Sequence, residues 1–219
     1  MTLNSWFTWS IVTAVLLLYV SAGFVESRKD VISIKLEPGY STQLHIFRLA
    51  ENVLQMRLEF KVGINPRPEL GNNSTREDWR KTGLLKLINP GSPIRIAASI
   101  PNATPVTYEA MPNNSSPPSS PVRGLIPGSS VSPGVWQWPP SKNGLLLQRG
   151  MNVVNIEVVA VERPLDGEDV ELTVLPALGF KNVMPNVEWL SFWYLWPFLL
   201  VFQASWACVL VEWRRQPGG

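Results

Sequence analysis

The residue types that could carry nucleophilic or metal-based catalysis are scarce in this chain of 219 residues. A serine or cysteine nucleophile needs a histidine beside it as the base, and the only histidine is His45. His45 alternates with Leu44 and Ile46 in a predicted strand, so we expect it on the outer face of a sheet. The only cysteine, Cys208, lies in a long apolar run, and the rest of the chain therefore has no thiol nucleophile or thiolate ligand. The sequence predicts a protein that is not an enzyme and that uses no metal or cofactor.

Six carboxylates near the last predicted hairpin are the other candidates for chemistry: Glu157, Glu162, Asp166, Glu168, Asp169 and Glu171. Two facing carboxylates can act as the acid and base of a glycosidase, and a tighter group can bind calcium. However, most of these residues fall on the polar phase of predicted strands or in the turn between them, and their spacing does not match a calcium-binding loop. We expect them to form a solvated surface.

Two tryptophans, Trp136 and Trp138, are separated by one residue, so a strand would place both rings on the same face. Exposed rings at this spacing would form a stacking platform for a sugar ligand, whereas buried rings would belong to the hydrophobic core. The 19 Lys and Arg residues nearly balance the 17 Asp and Glu residues and are scattered, which argues against nucleic acid as a partner.

Five asparagines fit the acceptor pattern for N-glycosylation: Asn72, Asn73, Asn102, Asn113 and Asn114. In a eukaryotic lumen they would be glycan sites on loops, and in a bacterial periplasm the pattern has no meaning. A domain of this size without a disulfide favours the bacterial inner membrane and periplasm over a eukaryotic endoplasmic reticulum or plasma membrane.

The C-terminal apolar run determines how the rest of the chain is held. Trp189 to Val211 is a stretch of 23 residues without a charge. At about 1.5 Å per residue, such a helix crosses the roughly 30 Å hydrocarbon layer of a bilayer. We predict a transmembrane helix over residues 187–213, kinked at Pro197, and a short cytosolic tail over residues 214–219.

One face of this helix is predicted to pack against a helix of a larger membrane complex. Gln203 is a polar amide at mid-bilayer depth that a neighbouring helix would satisfy, and Ala204 and Cys208 form a small-xxx-small pair that allows close approach. The alternative is that the tryptophans are interfacial anchors and that Gln203 is merely tolerated. The predicted packing residues are Trp189, Trp193, Trp196, Leu200, Gln203, Ala204, Ala207 and Cys208.

The N-terminal residues 1–25 are also apolar and uncharged, and two interpretations compete. The run from Trp6 to Val25 is 20 residues long and lacks a preceding Lys or Arg, which favours a retained membrane anchor. The small residues Val20-Ser21-Ala22 fit a signal-peptidase site, which favours a cleaved signal peptide.

Basic residues beside the apolar runs predict the orientation. Arg214 and Arg215 follow the second run and place the C-terminus in the cytosol, so that the middle of the chain is extracytosolic. Arg28 and Lys29 follow the first run and would favour the opposite orientation, with a cytosolic middle domain.

Residues 26–186 are predicted to form one domain of short strands. The clearest strand lies in residues 53–62, where Leu54, Met56 and Leu58 share one face and charged residues share the other. Residues 112–134 are so rich in Pro, Ser and Gly that we expect a long mobile insertion. Strands near residues 154–160 and 170–174 are predicted to pair as a hairpin closed by the turn at residues 164–168.

The expected fold class is all-β: an antiparallel β-sandwich, of Ig-like or jelly-roll type, flanked by an N-terminal and a C-terminal transmembrane helix. Some eight short strands separated by frequent turn signals support this expectation. The segment LLLQRGMNVVNIEVV is also similar to the closing strands of many jelly-roll sugar-binding domains.

These features predict a non-enzymatic accessory or assembly subunit of an integral membrane protein complex, acting through its bilayer-embedded helices and its extracytosolic domain. One alternative is a membrane-tethered module that binds a sugar or a lipid through Trp136 and Trp138. The other is a single-pass glycosylated receptor, which would require cleavage of the N-terminal run.

Overall fold

The computed structural model describes residues 2–61, 67–75, 79–113, 121–140, 143–180 and 183–215. It divides into two compact units: Lys29–Leu175, and a terminal unit that combines Met1–Arg28 with Pro176–Gly219. The first unit is built mainly from strands and the second contains two long helices, so the chain is of mixed α/β type.

The strands of the first unit alternate buried and exposed side chains, as expected when one face of a sheet is covered. In the second strand, for example, Leu44 and Ile46 are buried while His45 is exposed. In chain order the elements are α1 Thr2–Glu26, β1 Asp30–Lys35, β2 Ser41–Arg48, β3 Asn52–Val53, β4 Met56–Glu59, β5 Asn72–Thr75, α2 Trp79–Thr82, β6 Leu84–Asn89, β7 Ile94–Ser99, β8 Val106–Pro112, β9 Val122–Pro127, β10 Val135–Gln137, β11 Leu146–Leu147, β12 Gly150–Val161, β13 Asp169–Val174 and α3 Trp196–Arg215.

Eight strands form one antiparallel sheet in the order β1-β13-β4-β9-β8-β7-β12-β2, which curls into a nearly closed barrel. The predicted β-sandwich, whether Ig-like or jelly-roll, is therefore wrong. A sandwich needs two stacked sheets, whereas here a single sheet buries its inner face against itself. Alternation along a strand indicates only that one face is covered, and this pattern is the same in both folds.

The predicted hairpin between the last two long strands is also wrong. β12 pairs with β2 on one side and with β7 on the other, while β13 pairs with β1 and β4. Both edges of β12 are thus occupied by strands from earlier in the chain. The turn between β12 and β13 is a 3-10 helix over Arg163–Leu165 that carries the chain to a different part of the barrel.

The tract predicted as a mobile insertion contains a strand of the barrel. β9 pairs with β4 from Met56↔Leu125 to Glu59↔Val122 and with β8 along its other edge. Leu125 is buried in the core, and the burial of this side chain stabilises the strand despite the prolines that flank it. Residues 114–120 of the same tract lie outside the described residues.

The barrel interior is apolar and contains the hydroxyl of Tyr108, which is fully buried. The Leu145 backbone N–H donates to this hydroxyl at 2.7 Å, and the hydroxyl donates to the Leu54 carbonyl at 3.4 Å. Burial raises the pKa of Tyr108, so the phenol stays neutral near pH 7. The Tyr108 side chain thus connects β8 to the residue that follows β3 and to the residue that precedes β11.

An ion-pair cluster ties a loop to the barrel. The guanidinium of Arg67 donates to both oxygens of Glu168 at 2.7 Å and to Glu69 at 2.6 Å, and it lies 5.8 Å from the centre of the Phe60 ring. The hydrogen bond from Arg67 lowers the pKa of Glu69. All three charged side chains are mostly buried, so solvent screens the cluster less than it screens an exposed pair.

Three strands outside the barrel form a smaller sheet in the order β10-β6-β5. Leu85, Leu87 and Trp136 are its buried side chains, and Met111 of β8 packs against them. Because Met111 belongs to the outer face of the barrel, the small sheet covers part of the outside of the β8–β9 pair.

The terminal unit contains two helices long and apolar enough to cross a membrane, Asn4–Glu26 and Glu188–Arg215. The second begins as 3-10 turns, and the regular α-helix starts at Trp196. Pro197 therefore lies in the first turn of α3, where its missing N–H leaves no helical bond unmade. The structure places Pro197 where the 3-10 turns give way to the regular α-helix, and the kink at this residue stays a prediction.

We predict that Tyr108→Phe lowers the free energy of unfolding by about 1–3 kcal/mol, because the buried Leu145 N–H loses its acceptor. Urea unfolding of the full chain in mild detergent measures the loss, and amide hydrogen exchange should show faster exchange at Leu145. Tyr40→Phe is the matched control, since Tyr40 packs against the same core from a half-buried position. Unchanged exchange at Leu145 in Tyr108→Phe would contradict the assigned hydrogen bond.

We also predict that Arg67→Gln destabilises the first unit by about 1–2 kcal/mol at neutral pH, because two carboxylates lose charge-assisted hydrogen bonds. A lowered carboxylate pKa stabilises the fold above the unfolded-state value and loses this effect as the pH falls through the lower folded-state value. The difference in the free energy of unfolding between wild type and Arg67→Gln should therefore have its full size above about pH 4.3 and shrink below that pH. Lys35→Gln, which breaks the exposed pair with Glu37, should change stability much less. A difference that stays constant through the acid range would exclude this role for Arg67.

Candidate functional site

A cleft of about 420 Å³ lies between the small sheet and the outer face of the β8–β9 pair. Its walls are mainly apolar and include two tryptophans, Trp79 and Trp138, whose ring centres are 6.2 Å apart in an edge-to-face arrangement. Both rings are half-buried, so they are held in place and still reachable. The lining residues are Thr75, Trp79, Leu85, Leu87, Met111, Pro112, Asn113, Gly124, Ile126 and Trp138.

Gly124 lines this cleft. A Cβ atom added at Gly124 would meet no described atom within 4 Å. The glycine sits inside β9, opposite Met111 on one side and Arg57 on the other. Glycine in a strand interior costs stability and often marks a close approach of a ligand or of another chain segment. Here its missing side chain keeps the cleft open.

The structure separates the two tryptophans that the sequence grouped as a stacking platform. Trp136 is only 4% exposed and packs with Leu85 and Leu87, so it cannot serve as an exposed surface. Trp138 instead pairs with Trp79, a residue that no sequence motif singled out. The available signal was a large aromatic residue in a short, otherwise polar segment.

A second, polar cavity of about 460 Å³ adjoins the same small sheet. Its wall includes Arg123, which is 1% exposed and donates to the carbonyls of Ser92 and Ala110 at 2.5 Å and of Pro90 at 3.1 Å. Burial lowers the pKa of Arg123 to about 10, and the guanidinium remains charged at pH 7. The cavity therefore has a buried positive charge that is held by backbone carbonyls.

A carboxylate on the neighbouring strand lines the same cavity. Glu109 is 5% exposed, and its Oε2 accepts a hydrogen bond from the Ser130 N–H at 3.0 Å. The Nε of Arg95 lies 3.9 Å from the same oxygen, and Glu109 also opposes the lowering of the Arg123 pKa. Within the described ranges there is no group of three or more His, Cys, Asp and Glu side chains that could hold a metal ion.

The predicted packing face of the C-terminal helix lies against α1 of the same chain. The indole N–H of Trp193 donates to the Val20 carbonyl at 3.0 Å, and that of Trp9 donates to the Gln203 carbonyl at 3.1 Å. From Trp193 to Gln203 the residue number rises along the second helix, while the contacted residue of α1 falls from Val20 to Trp9. The helices α1 and α3 are therefore antiparallel. Gln203 is 5% exposed, and its Oε1 has no hydrogen-bond partner among the described residues.

Gly23 is the position in α1 that permits this packing. A Cβ atom at Gly23 would lie 1.8 Å from the ring of Trp193, so no larger residue fits without moving the indole. Phe24 adds an edge-to-face contact with the same ring at 5.0 Å. Sequence patterns did not single out Gly23, because its neighbours indicated only a membrane anchor or a signal peptide.

The other predicted residues occupy less specific positions. Ala204 and Cys208 are exposed on α3, away from α1, while Trp196, Leu200 and Ala207 are half-buried and Trp189 is exposed.

Of the predicted glycosylation sites, Asn72, Asn102 and Asn113 are exposed, and the side chains of Asn73 and Asn114 lie outside what the structure describes. The carboxylates Glu157, Glu162, Asp166, Asp169 and Glu171 are exposed, and Glu168 binds Arg67.

No protein-family model matches the chain, and no curated protein matches it. Among solved structures, a crystal structure of a protein from Sulfurospirillum deleyianum is similar, with 16% sequence identity and a TM-score of 0.37. The match covers 67% of this chain and 97% of that chain. A similarity at this level carries no conclusion about fold or function.

We predict that Gly23→Ala weakens the α1–α3 pair by about 1–3 kcal/mol, since the added methyl group forces the Trp193 ring out of its position. Denaturation of the full chain in detergent micelles by added SDS, followed by tryptophan fluorescence, measures the effect. Ser21→Ala is the control, because Ser21 is exposed on the same helix. Equal stability of Gly23→Ala and wild type would mean that the Trp193 ring does not depend on the space at Gly23.

Proposed function

We propose that the protein is a membrane-anchored, non-enzymatic accessory subunit of a larger membrane complex. In this proposal α1 and α3 form a helical hairpin in the bilayer, and the Lys29–Leu175 unit lies outside the cytosol. The observation that carries the proposal is the antiparallel pairing of the two apolar helices through Trp193 and Val20 at one end and Trp9 and Gln203 at the other.

Exposed apolar side chains support placement of the hairpin in lipid. Phe7, Leu18, Phe198 and Phe202 are each between 66% and 73% exposed on the two helices. A water-soluble protein rarely exposes so many large apolar side chains on adjacent helices, whereas a bilayer solvates them favourably. The 20 residues of α3 also match the roughly 30 Å hydrocarbon thickness at about 1.5 Å per residue.

The hairpin has consequences for topology. Two antiparallel spans put both chain ends on the same side of the membrane, and Arg214 and Arg215 favour the cytosolic side. The strands between the spans are then extracytosolic, in the bacterial periplasm under the favoured localisation. Retention of α1 is supported by Trp193, whose indole N–H would lose its acceptor if the N-terminal run were removed. This contact disfavours the single-pass receptor.

Contact with a partner is the proposed mode of action. Ala204 and Cys208 face away from α1, so a partner helix could approach closely at that surface of α3. Phe198 and Phe202 add large exposed apolar side chains on the other flank of α3. The proposed partner is therefore an integral membrane protein that packs against α3.

A second candidate function is a membrane-tethered module that binds a sugar or a lipid. The cleft with Trp79 and Trp138 favours it, because aromatic walls and an open floor at Gly124 suit a ligand with an apolar face. Trp138 is the only member of the predicted platform that such a module could use in this cleft.

The accessory role predicts that Ala204→Leu reduces recovery of the partner by roughly tenfold, which corresponds to about 1.4 kcal/mol. The experiment is purification of the tagged full chain from its native membrane in mild detergent, with a photo-crosslinking residue at position 201 to identify the protein in contact with α3. Val201→Leu without the crosslinker is the matched control, because Val201 is exposed and loses no small side chain. N-terminal sequencing of the same sample tests retention of α1. Recovery only as a lone monomer, with no crosslink to an integral membrane protein, would refute the accessory role.

A further inference from the structure

Two cross-strand pairs of apolar side chains are exposed at one end of the barrel. Phe47 of β2 lies opposite Met151 of β12, and Val53 of β3 lies opposite Leu146 of β11. Each of the four side chains is between 39% and 64% exposed. Short turns join β2 to β3 and β11 to β12, so the two pairs follow each other along the same two chain segments. We call these four residues the apolar rim, and exposed apolar side chains grouped in this way mark interaction surfaces.

Hydrogen bonds place the apolar rim at the end of the barrel where β1 begins. Arg48, the last residue of β2, donates to the Leu175 carbonyl at 3.2 Å, and the Leu175 N–H donates to the carbonyl of Gln55 at 2.9 Å. Leu175 directly follows β13, and the last residue of β13, Val174, is paired with Asp30, the first residue of β1. The end of β2, the start of β4 and the start of β1 therefore lie together.

The covalent link between α1 and β1 is short. The helix ends at Glu26 and the strand begins at Asp30, and four residues of extended chain span at most about 14 Å. With α1 in the bilayer, as the proposed function has it, Asp30 is held within this distance of the end of a membrane span. The barrel end that carries the apolar rim is then kept close to the lipid surface.

Charged side chains beside the apolar rim suit an anionic lipid surface. The α1–β1 link contains Arg28 and Lys29, the β11–β12 turn contains Arg149, and the β2–β3 turn contains Glu51. All four are exposed, and the basic residues outnumber the acidic one by three to one. Apolar side chains flanked by Lys and Arg are typical of protein surfaces that lie in the interfacial region of a bilayer, where the cations meet lipid phosphates.

We propose that the apolar rim docks into the headgroup region of the same bilayer that α1 and α3 span, an inference that rests on the proposed function. The partner is the anionic lipid surface itself. The four apolar side chains leave water for the boundary between headgroups and acyl chains, and the flanking basic side chains contact lipid phosphates. Docking holds the barrel in one orientation on the membrane, which its covalent links alone do not ensure.

The test places the polarity-sensitive fluorophore NBD on single cysteines of the full chain in nanodiscs that contain phosphatidylglycerol. The only native cysteine, Cys208, is first removed as Cys208→Ser. Gln148→Cys reports on the rim, because Gln148 is exposed in the β11–β12 turn and its described hydrogen bonds involve only its backbone. Asp166→Cys reports on the opposite end of the barrel, and Val201→Cys on α3 reports on the membrane hairpin.

We expect lipids with a spin-labelled headgroup to quench the probe at position 148 and to leave the probe at position 166 unquenched. Lipids with a spin-labelled acyl chain should quench the probe at position 201. Met151→Glu should lower the ratio of docked to undocked rim at position 148 by roughly tenfold, because a charge replaces an apolar side chain in the interface. Val159→Glu is the matched control, since Val159 is exposed further along the same strand, away from the rim.

The outcomes separate this inference from the proposed function. Quenching at position 201 with none at position 148 would overturn the docking and leave the membrane hairpin in place. A blue-shifted probe at position 148 that no labelled lipid quenches would overturn the docking in favour of a protein that covers the rim. Equal quenching at positions 148 and 166, or equal losses in Met151→Glu and Val159→Glu, would exclude a specific role for the rim. No quenching at any of the three positions would refute the hairpin and the docking together.

Discussion

One antiparallel sheet must bury its whole inner face by curling on itself, and this closure is the constraint on which the structure of the first unit depends. The two strands at the edges of the sheet, β1 and β2, are consecutive in the chain and are joined by a short turn. The Gly39 N–H donates to the Val158 carbonyl and the Leu36 N–H donates to the Glu168 carbonyl, so the turn is bonded to the strands on both sides of the gap. Because the core is filled from one sheet, the outer face remains available to carry further structure.

The small sheet uses that outer face, and the way it packs creates both cavities. Trp136 lines the polar cavity, whereas Trp138, two residues later, lines the aromatic cleft. On the barrel side, Glu109 lines the first and Met111 lines the second. The first cavity is thus lined by a tryptophan and a carboxylate, and the second by a tryptophan and an apolar side chain. Arg123 adds a charge that three backbone carbonyls hold in place, which limits the cost of its burial.

Local patterns predicted the strands well and their partners poorly. The alternation of Leu54, Met56 and Leu58 identifies inward-facing positions, and all three are buried. Closure of the barrel could not be predicted, because the partners of β12 lie some 60 and 110 residues earlier in the chain and periodicity contains no information about pairing. Composition was misleading for β9, where prolines and serines around Leu125 obscured a short strand. The candidate cavities depend on Trp79 and Arg123, whose neighbours in space are distant in sequence.

For the two apolar runs as well, sequence patterns predict the elements but not the contact between them. Hydropathy identifies two runs of sufficient length, but the contact that joins them depends on the absence of a side chain at Gly23. If the hairpin lies in lipid as proposed, no water reaches the indole N–H of Trp193, and the Val20 carbonyl must serve as its acceptor. Placing a tryptophan in the 3-10 turn before α3 then has a specific structural effect: its ring fills the space above Gly23 while its polar atom is satisfied by α1. The two apolar runs thus meet through a contact that needs both the glycine of one and the tryptophan of the other.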